Sequence, residues 1–131
     1  MVTEFFSSNS LSALISHHIA LIQRFEENSD EEFALLFLHL ENFDNVEIKK
    51  SIQIVFRDTD IIFNHNENFI ILLPKTDWNG AYELLNGLQE FLDQELQDSI
   101  ATYPDDGKDT KTLIESFKRV VKKCYGINLE L

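Results

Sequence analysis

From Leu11 onward, apolar side chains return every three or four residues, at Leu11, Leu14, Ile15, Ile19, Ile22 and Phe25, with His18 on the same face. Ser7-Ser8-Asn9-Ser10 supplies N-cap chemistry before them, and Asn28-Ser29-Asp30 interrupts the pattern after them. The spacing predicts a helix over about 10–27. The run FALLFLHL, Phe33 to Leu40, is continuously apolar and predicts a central strand covered on both faces. Val46, Ile48, Ile52, Val55 and Phe56 predict a second, looser helix over 45–57. Asp60–Phe63 and Phe69–Leu73 read as a hairpin joined by the polar turn Asn64–Asn68. Asp77 can cap a long helix whose inner face is Ala81, Leu84, Leu85, Leu88, Phe91, Leu92 and Leu96. SIATYP predicts a short strand before the turn Pro104–Gly107. Leu113, Ile114, Phe117, Val120, Val121 and Cys124 mark the inner face of a last helix over 110–125, stopped by Gly126. Ile127–Leu131 is expected to close the sheet as an edge strand. The order implies an α/β domain with a mixed sheet and helices packed on it, spanning 1–131 with residues 1–8 as an N-terminal extension.

Composition narrows the partners. The 131 residues suit one core, and a net charge of −12 repels phosphate backbones and anionic membrane faces. Neither nucleic acid nor membrane is expected as a partner. The single cysteine, Cys124, rules out an internal disulfide and fits a cytoplasmic location; no signal peptide or membrane-length apolar run shows.

Several segments, in order, resemble the GGDEF domain, the diguanylate cyclase fold related to nucleotidyl cyclases and polymerase palms. Asn9–His18, NSLSALISHH, resembles the DxLTGLxNRR signature. Phe33–Phe43, FALLFLHLENF, resembles the central strand and its LDIDxF end. Arg57–Pro74, RDTDIIFNHNENFIILLP, resembles the RxxD segment, the hairpin and the next strand. Ser99–Gly107, SIATYPDDG, resembles SIGVAxYPxDG, and Gly126-Ile127-Asn128 the family's close. The resemblance implies a mostly antiparallel central sheet flanked by helices. It also implies an ancestral site in which carboxylates at the strand end and in the hairpin turn held Mg²⁺ and GTP.

The departures fall on that site. His39 stands at the first metal-aspartate position, and Glu41 matches the second acidic position. His65 and Asn66 replace the two turn glycines, with Glu67 at the metal-acid position and Asn68 beside it. The loop that grips guanine is shortened to DNVEIKKSIQIVF between Phe43 and Arg57. The opening signature has lost its Asp, Gly and Arg-Arg, at Asn9, Ala13 and His17-His18. The expectation is a degenerate domain without cyclase activity or cofactor, acting through a protein partner or a second copy of itself.

Two alternatives stand beside it. In the first, Arg57 and Asp60 of RDTD bind cyclic di-GMP, since RxxD is the family's inhibitory site and arginine's planar fork suits guanine and phosphate. In the second, His39 and His65, with Glu41 and Glu67, hold a transition metal, although no HxxxH-type spacing pins two ligands on one element. In the basic turn Lys118, Arg119, Lys122, Lys123, the resemblance implies phosphate contacts for Lys118 and Lys122; cations near a helix C-terminus explain the same residues without a ligand. Trp78 and Tyr82 at a helix start, and Cys124 on an inner face, read more simply as packing residues.

Overall fold

The computed structural model describes residues 5–25, 31–40 and 45–131, with backbone only at 45, 46, 48 and 49. Its elements are β1 (Phe5–Ser7), a 3₁₀ turn at Ser8–Ser10, α1 (Leu11–Phe25), β2 (Phe33–Leu38), α2 (Asn45–Val55), β3 (Ile61–His65), β4 (Asn68–Pro74), α3 (Trp78–Leu92), β5 (Ile100–Tyr103) and α4 (Thr110–Tyr125). They form a five-stranded sheet in the order β1-β3-β4-β2-β5. β1 runs parallel to β3, and every other neighbouring pair is antiparallel.

Strand alternation splits the apolar run of β2 between two cores. Ala34, Leu36 and Leu38 join Ile62, Ile71 and Leu73 under α2 and α3. Phe33, Leu35 and Phe37 join Phe63, Ile70 and Leu72 under α1 and α4. All six β2 side chains are fully buried, so the chain has two helix layers and one sheet shared between them.

Four sequence expectations need correction. Residues 5–7 are not part of an extension. They form β1, where Phe5 pairs with Ile62 and sets its ring edge-on to Phe69 at 5.8 Å; three residues are too short to display an alternation. Residues 127–131 form no strand: Gly126 turns the chain in the left-handed region (φ 71°), and Leu129 is buried among α1 and α4 instead. The outer edge of β5 is taken at Thr102 by the turn after it. Asp106 Oδ2 accepts the Thr102 N–H at 2.8 Å, and Asp106 N–H donates to Thr102 O at 2.8 Å. α3 ends at Leu92, where Asp93 takes a left-handed conformation, and Leu96 reaches the core from the loop, its N–H held by Gln89 Oε1 at 2.7 Å. Finally, Phe25 and Phe91 lie outside the helix faces assigned to them, 68% and 54% exposed. Val46 and Ile48 were expected on the α2 face, and their side chains lie outside the described residues.

Two residues give this account measurable consequences. A Cβ on Gly107 would lie 2.4 Å from Leu113 N and 2.6 Å from its Cα, in the first turn of α4. Gly107→Ala should therefore cost about 1–3 kcal/mol in urea unfolding, as overpacking against backbone does. His18 meets Phe33 edge-on at 4.9 Å, and its Nε2 is buried with no hydrogen-bond partner among the described residues. Burial, and secondarily the neighbouring His17, lowers its pKa below the ordinary 6.5. The unfolded chain then binds this proton more tightly, so the stability is complete above pH 6.5 and declines as pH falls below it. In His18→Phe that acid-side decline should shrink, as measured by unfolding midpoints at pH 7.5 and pH 5.5 (roughly either side of the histidine range).

Candidate functional site

β2 delivers His39 to the sheet's end, and the β3–β4 hairpin brings His65 and Asn68 beside it. The turn is tighter than the Asn64–Asn68 loop expected from sequence: Asn64 and His65 belong to β3 and Asn68 to β4, leaving only Asn66-Glu67. Both have left-handed backbone, φ 46° and 68°. Two positive φ values are the signature of a type I′ turn, whose twist matches the flanking strands. Asparagine adopts this region readily; glutamate bears a Cβ penalty there.

Alternation places His39, His65 and Asn68 on the α1/α4 face of the sheet. Asn68, on the strand between β2 and β3, separates the two histidines. His39 Nδ1–H donates to Asn68 Oδ1 at 2.7 Å, and the His39 ring meets Tyr125 edge-on at 5.5 Å. His65 is buried and shares a 2.8 Å hydrogen bond between Nδ1 and Ser8 Oγ. Glu67 stands exposed at the turn's apex, and Glu41 lies outside the described residues. Among the described residues, no three His, Cys, Asp or Glu side chains gather as a metal's ligand set. What occupies the strand ends is therefore a polar lattice of imidazole, amide and hydroxyl groups. Ser8 and Tyr125 belong to it, yet no spacing rule in the sequence points to either.

RDTD closes on itself. Asp60 has a fully buried side chain, and Arg57 is half exposed. Asp60 Oδ2 accepts the Arg57 backbone N–H at 2.8 Å, and Asp60 Oδ1 accepts Nη2 at 2.9 Å. The same Nη2 donates to Thr76 Oγ1 at 3.0 Å and Pro74 O at 3.2 Å. Arg57 thus ties the end of α2 to the β4–α3 corner. It also borders an open groove of about 640 Å³ whose other charged walls are Glu31, Glu32, Lys75 and Asp77. Lys75 lies 3.7 Å from Glu31, and Asp77 caps α3 by accepting the Gly80 N–H. Carboxylates outnumber cations there, which disfavours an anion.

On α4, Lys118 lines a separate cleft against the 3₁₀ turn, whereas Lys122 is exposed one turn beyond and does not line it. Cys124 is half-buried; burial, then nearby Asp98, raises its thiol pKa, as suits an unreactive packing residue. Burial likewise raises the phenol of Tyr125, whose oxygen accepts the Gln97 N–H at 2.9 Å. Trp78 and Tyr82 stack on each other at 5.2 Å, one helical turn apart.

Removing the guanidinium should leave the Asp60 carboxylate buried with one backbone donor. Arg57→Ala is expected to lose about 2 kcal/mol in urea unfolding, and Arg57→Lys to recover only part of it. Glu67→Gly should instead gain about 0.5–1 kcal/mol, because relief of left-handed strain exceeds the added freedom of the unfolded chain.

No family model matches the chain, and no curated protein matches it. Among solved structures, the chain is similar to a truncated form of PA1120 (TpbB or YfiN) from Pseudomonas aeruginosa PAO1 comprising only the GGDEF domain. The match has a TM-score of 0.67 and 14% identity, covering 93% of this chain and 87% of that one. At that identity the likeness is one of fold: the chain has a GGDEF-like, palm-type fold over nearly its whole length.

Proposed function

We propose that this chain is a catalytically inactive GGDEF-like module of bacterial signalling, cytoplasmic, that works by binding a protein partner or a second copy of itself. One observation carries the reading. At the position the resemblance assigns to a metal carboxylate stands His39, whose Nδ1–H is committed to Asn68. Mg²⁺ takes hard oxygen ligands in tight octahedral geometry, and imidazole is a poor substitute. The turn supports the same reading. Where two glycines would let backbone approach a nucleotide, His65 is buried under Ser8 and Asn66 carries a side chain at the apex. Such a lattice is a stable polar surface, better suited to a fixed partner than to reacting phosphates.

A second reading, a cyclic di-GMP receptor at Arg57 and Asp60, draws on the half-exposed guanidinium beside an open groove. The internal engagement of Arg57 and the carboxylates around it favour the first reading.

Incubation of the purified chain with GTP and Mg²⁺ or Mn²⁺, followed by chromatography, is expected to yield neither pppGpG nor cyclic di-GMP. Appearance of either would overturn the proposal. Calorimetry with cyclic di-GMP is expected to give no heat; saturable heat that disappears in Arg57→Ala would establish the second reading instead.

A further inference from the structure

Charge is distributed unevenly over the two helix layers. Between Lys75 and Lys108 the chain carries eight carboxylates and no Lys or Arg, and α3 lies in that stretch. The α1/α4 layer is the reverse. Residues 5–25 hold Arg24 and no acidic side chain, and residues 108–131 hold six Lys and Arg against Asp109, Glu115 and Glu130. In a chain of net charge −12, this face offers an anion a favourable local field.

A cleft of about 510 Å³ opens in that face, between the start of α1 and the first half of α4, with Leu131 at its rim. The volume is in the range of small-molecule sites. Leu11 and Ile114 give it an apolar floor, and the hydroxyls of Ser8, Ser12 and Thr110 line its wall, with Ser8 already bonded to His65 and Thr110 to Ser16. Lys111 and Lys118 both border it, and neither has an ion-pair partner among the described residues. Arg57 and Lys75, by contrast, lie 2.9 Å and 3.7 Å from a carboxylate, whereas Lys111 acts on Asp109 only as a neighbouring charge. The lining also includes Glu115 and Glu130, which would repel a polyphosphate. With two lysines against two glutamates, the lining suits at most one negative charge on an apolar body: Lys111, Lys118 and the Ser12 hydroxyl for the head, Leu11 and Ile114 for the body.

We propose that the α1–α4 cleft is a binding site for a small amphiphilic monoanion, of the class of a medium-chain carboxylate. The site borders the strand-end lattice at Ser8, whose Oγ bonds His65 Nδ1, but it includes neither histidine and lies apart from the Arg57 groove, so a test through Lys111 and Lys118 is separate from the reading above.

The test uses 8-anilinonaphthalene-1-sulfonate, a fluorescent monoanion with an apolar ring system, on the folded full chain. Saturable one-to-one binding is expected, displaced by octanoate but not by octylammonium. The double variant Lys111→Gln/Lys118→Gln should raise Kd by about tenfold, the scale of one or two weakened charge contacts. Ser12→Phe, which fills the cleft from the exposed first turn of α1, should abolish binding, and Lys50→Gln on α2 should leave it unchanged. Far-UV circular dichroism and unfolding midpoints show that each variant is folded. Absence of saturable binding to the wild type, equal displacement by octylammonium, or the same Kd in the double variant and in Lys50→Gln would each overturn the proposal.

Discussion

The architecture depends on β2 being buried from both sides. Six consecutive side chains, Phe33 to Leu38, have no contact with water, and alternation sends three to each helix layer. Each buried large aliphatic or aromatic side chain contributes about 1.5–3 kcal/mol relative to exposure. A one-residue slip would exchange the Phe33, Leu35, Phe37 set with the smaller Ala34, Leu36, Leu38 set, leaving one layer overfilled and the other short. Register is therefore set by volume on both faces, and with it the placement of His39 at the strand's end. Whatever the strand-end lattice does, it does from a rigid platform.

That platform was legible in the sequence because its signals are long. FALLFLHL is too apolar for a half-solvated strand, and the inner residues Leu113, Phe117 and Val121 of α4 recur one turn apart along one helix face. Short or irregular features were harder to read. β1 has three residues, and its identity comes from pairing with β3, which no local pattern encodes. The terminal run INLEL around Leu129 looks like a strand, but a single buried leucine suffices to anchor the segment and the β5 edge is already taken at Thr102. Phe91 fits the helical stripe on paper; the end of α3 at Leu92 leaves it facing water.

The candidate site was legible in part. The sequence marked His39, His65, Asn68, Arg57 and Asp60, and the fold places the first three at strand ends and the last two at the end of α2 and the start of β3. Their partners were not marked, since Ser8, Thr76 and Tyr125 are common residues distant in sequence from what they bind. The turn misled for a different reason. A two-residue I′ connection is normally signalled by Asn-Gly or Asp-Gly, and Asn66-Glu67 keeps the geometry while discarding the glycine. A helix-face cleft such as that between α1 and α4 has no linear signature at all, because its walls come from both ends of the chain.

The Asp106 carboxylate on Thr102 has a bearing on how the protein behaves in a crowd. An outermost strand with open amide groups is a template on which a neighbouring molecule can nucleate a shared sheet. Here the ladder position at Thr102 is already taken by the chain's own turn, on both its N–H and its carbonyl. The apolar residues of β5 can thus be kept for the interior without offering fibrils a place to start.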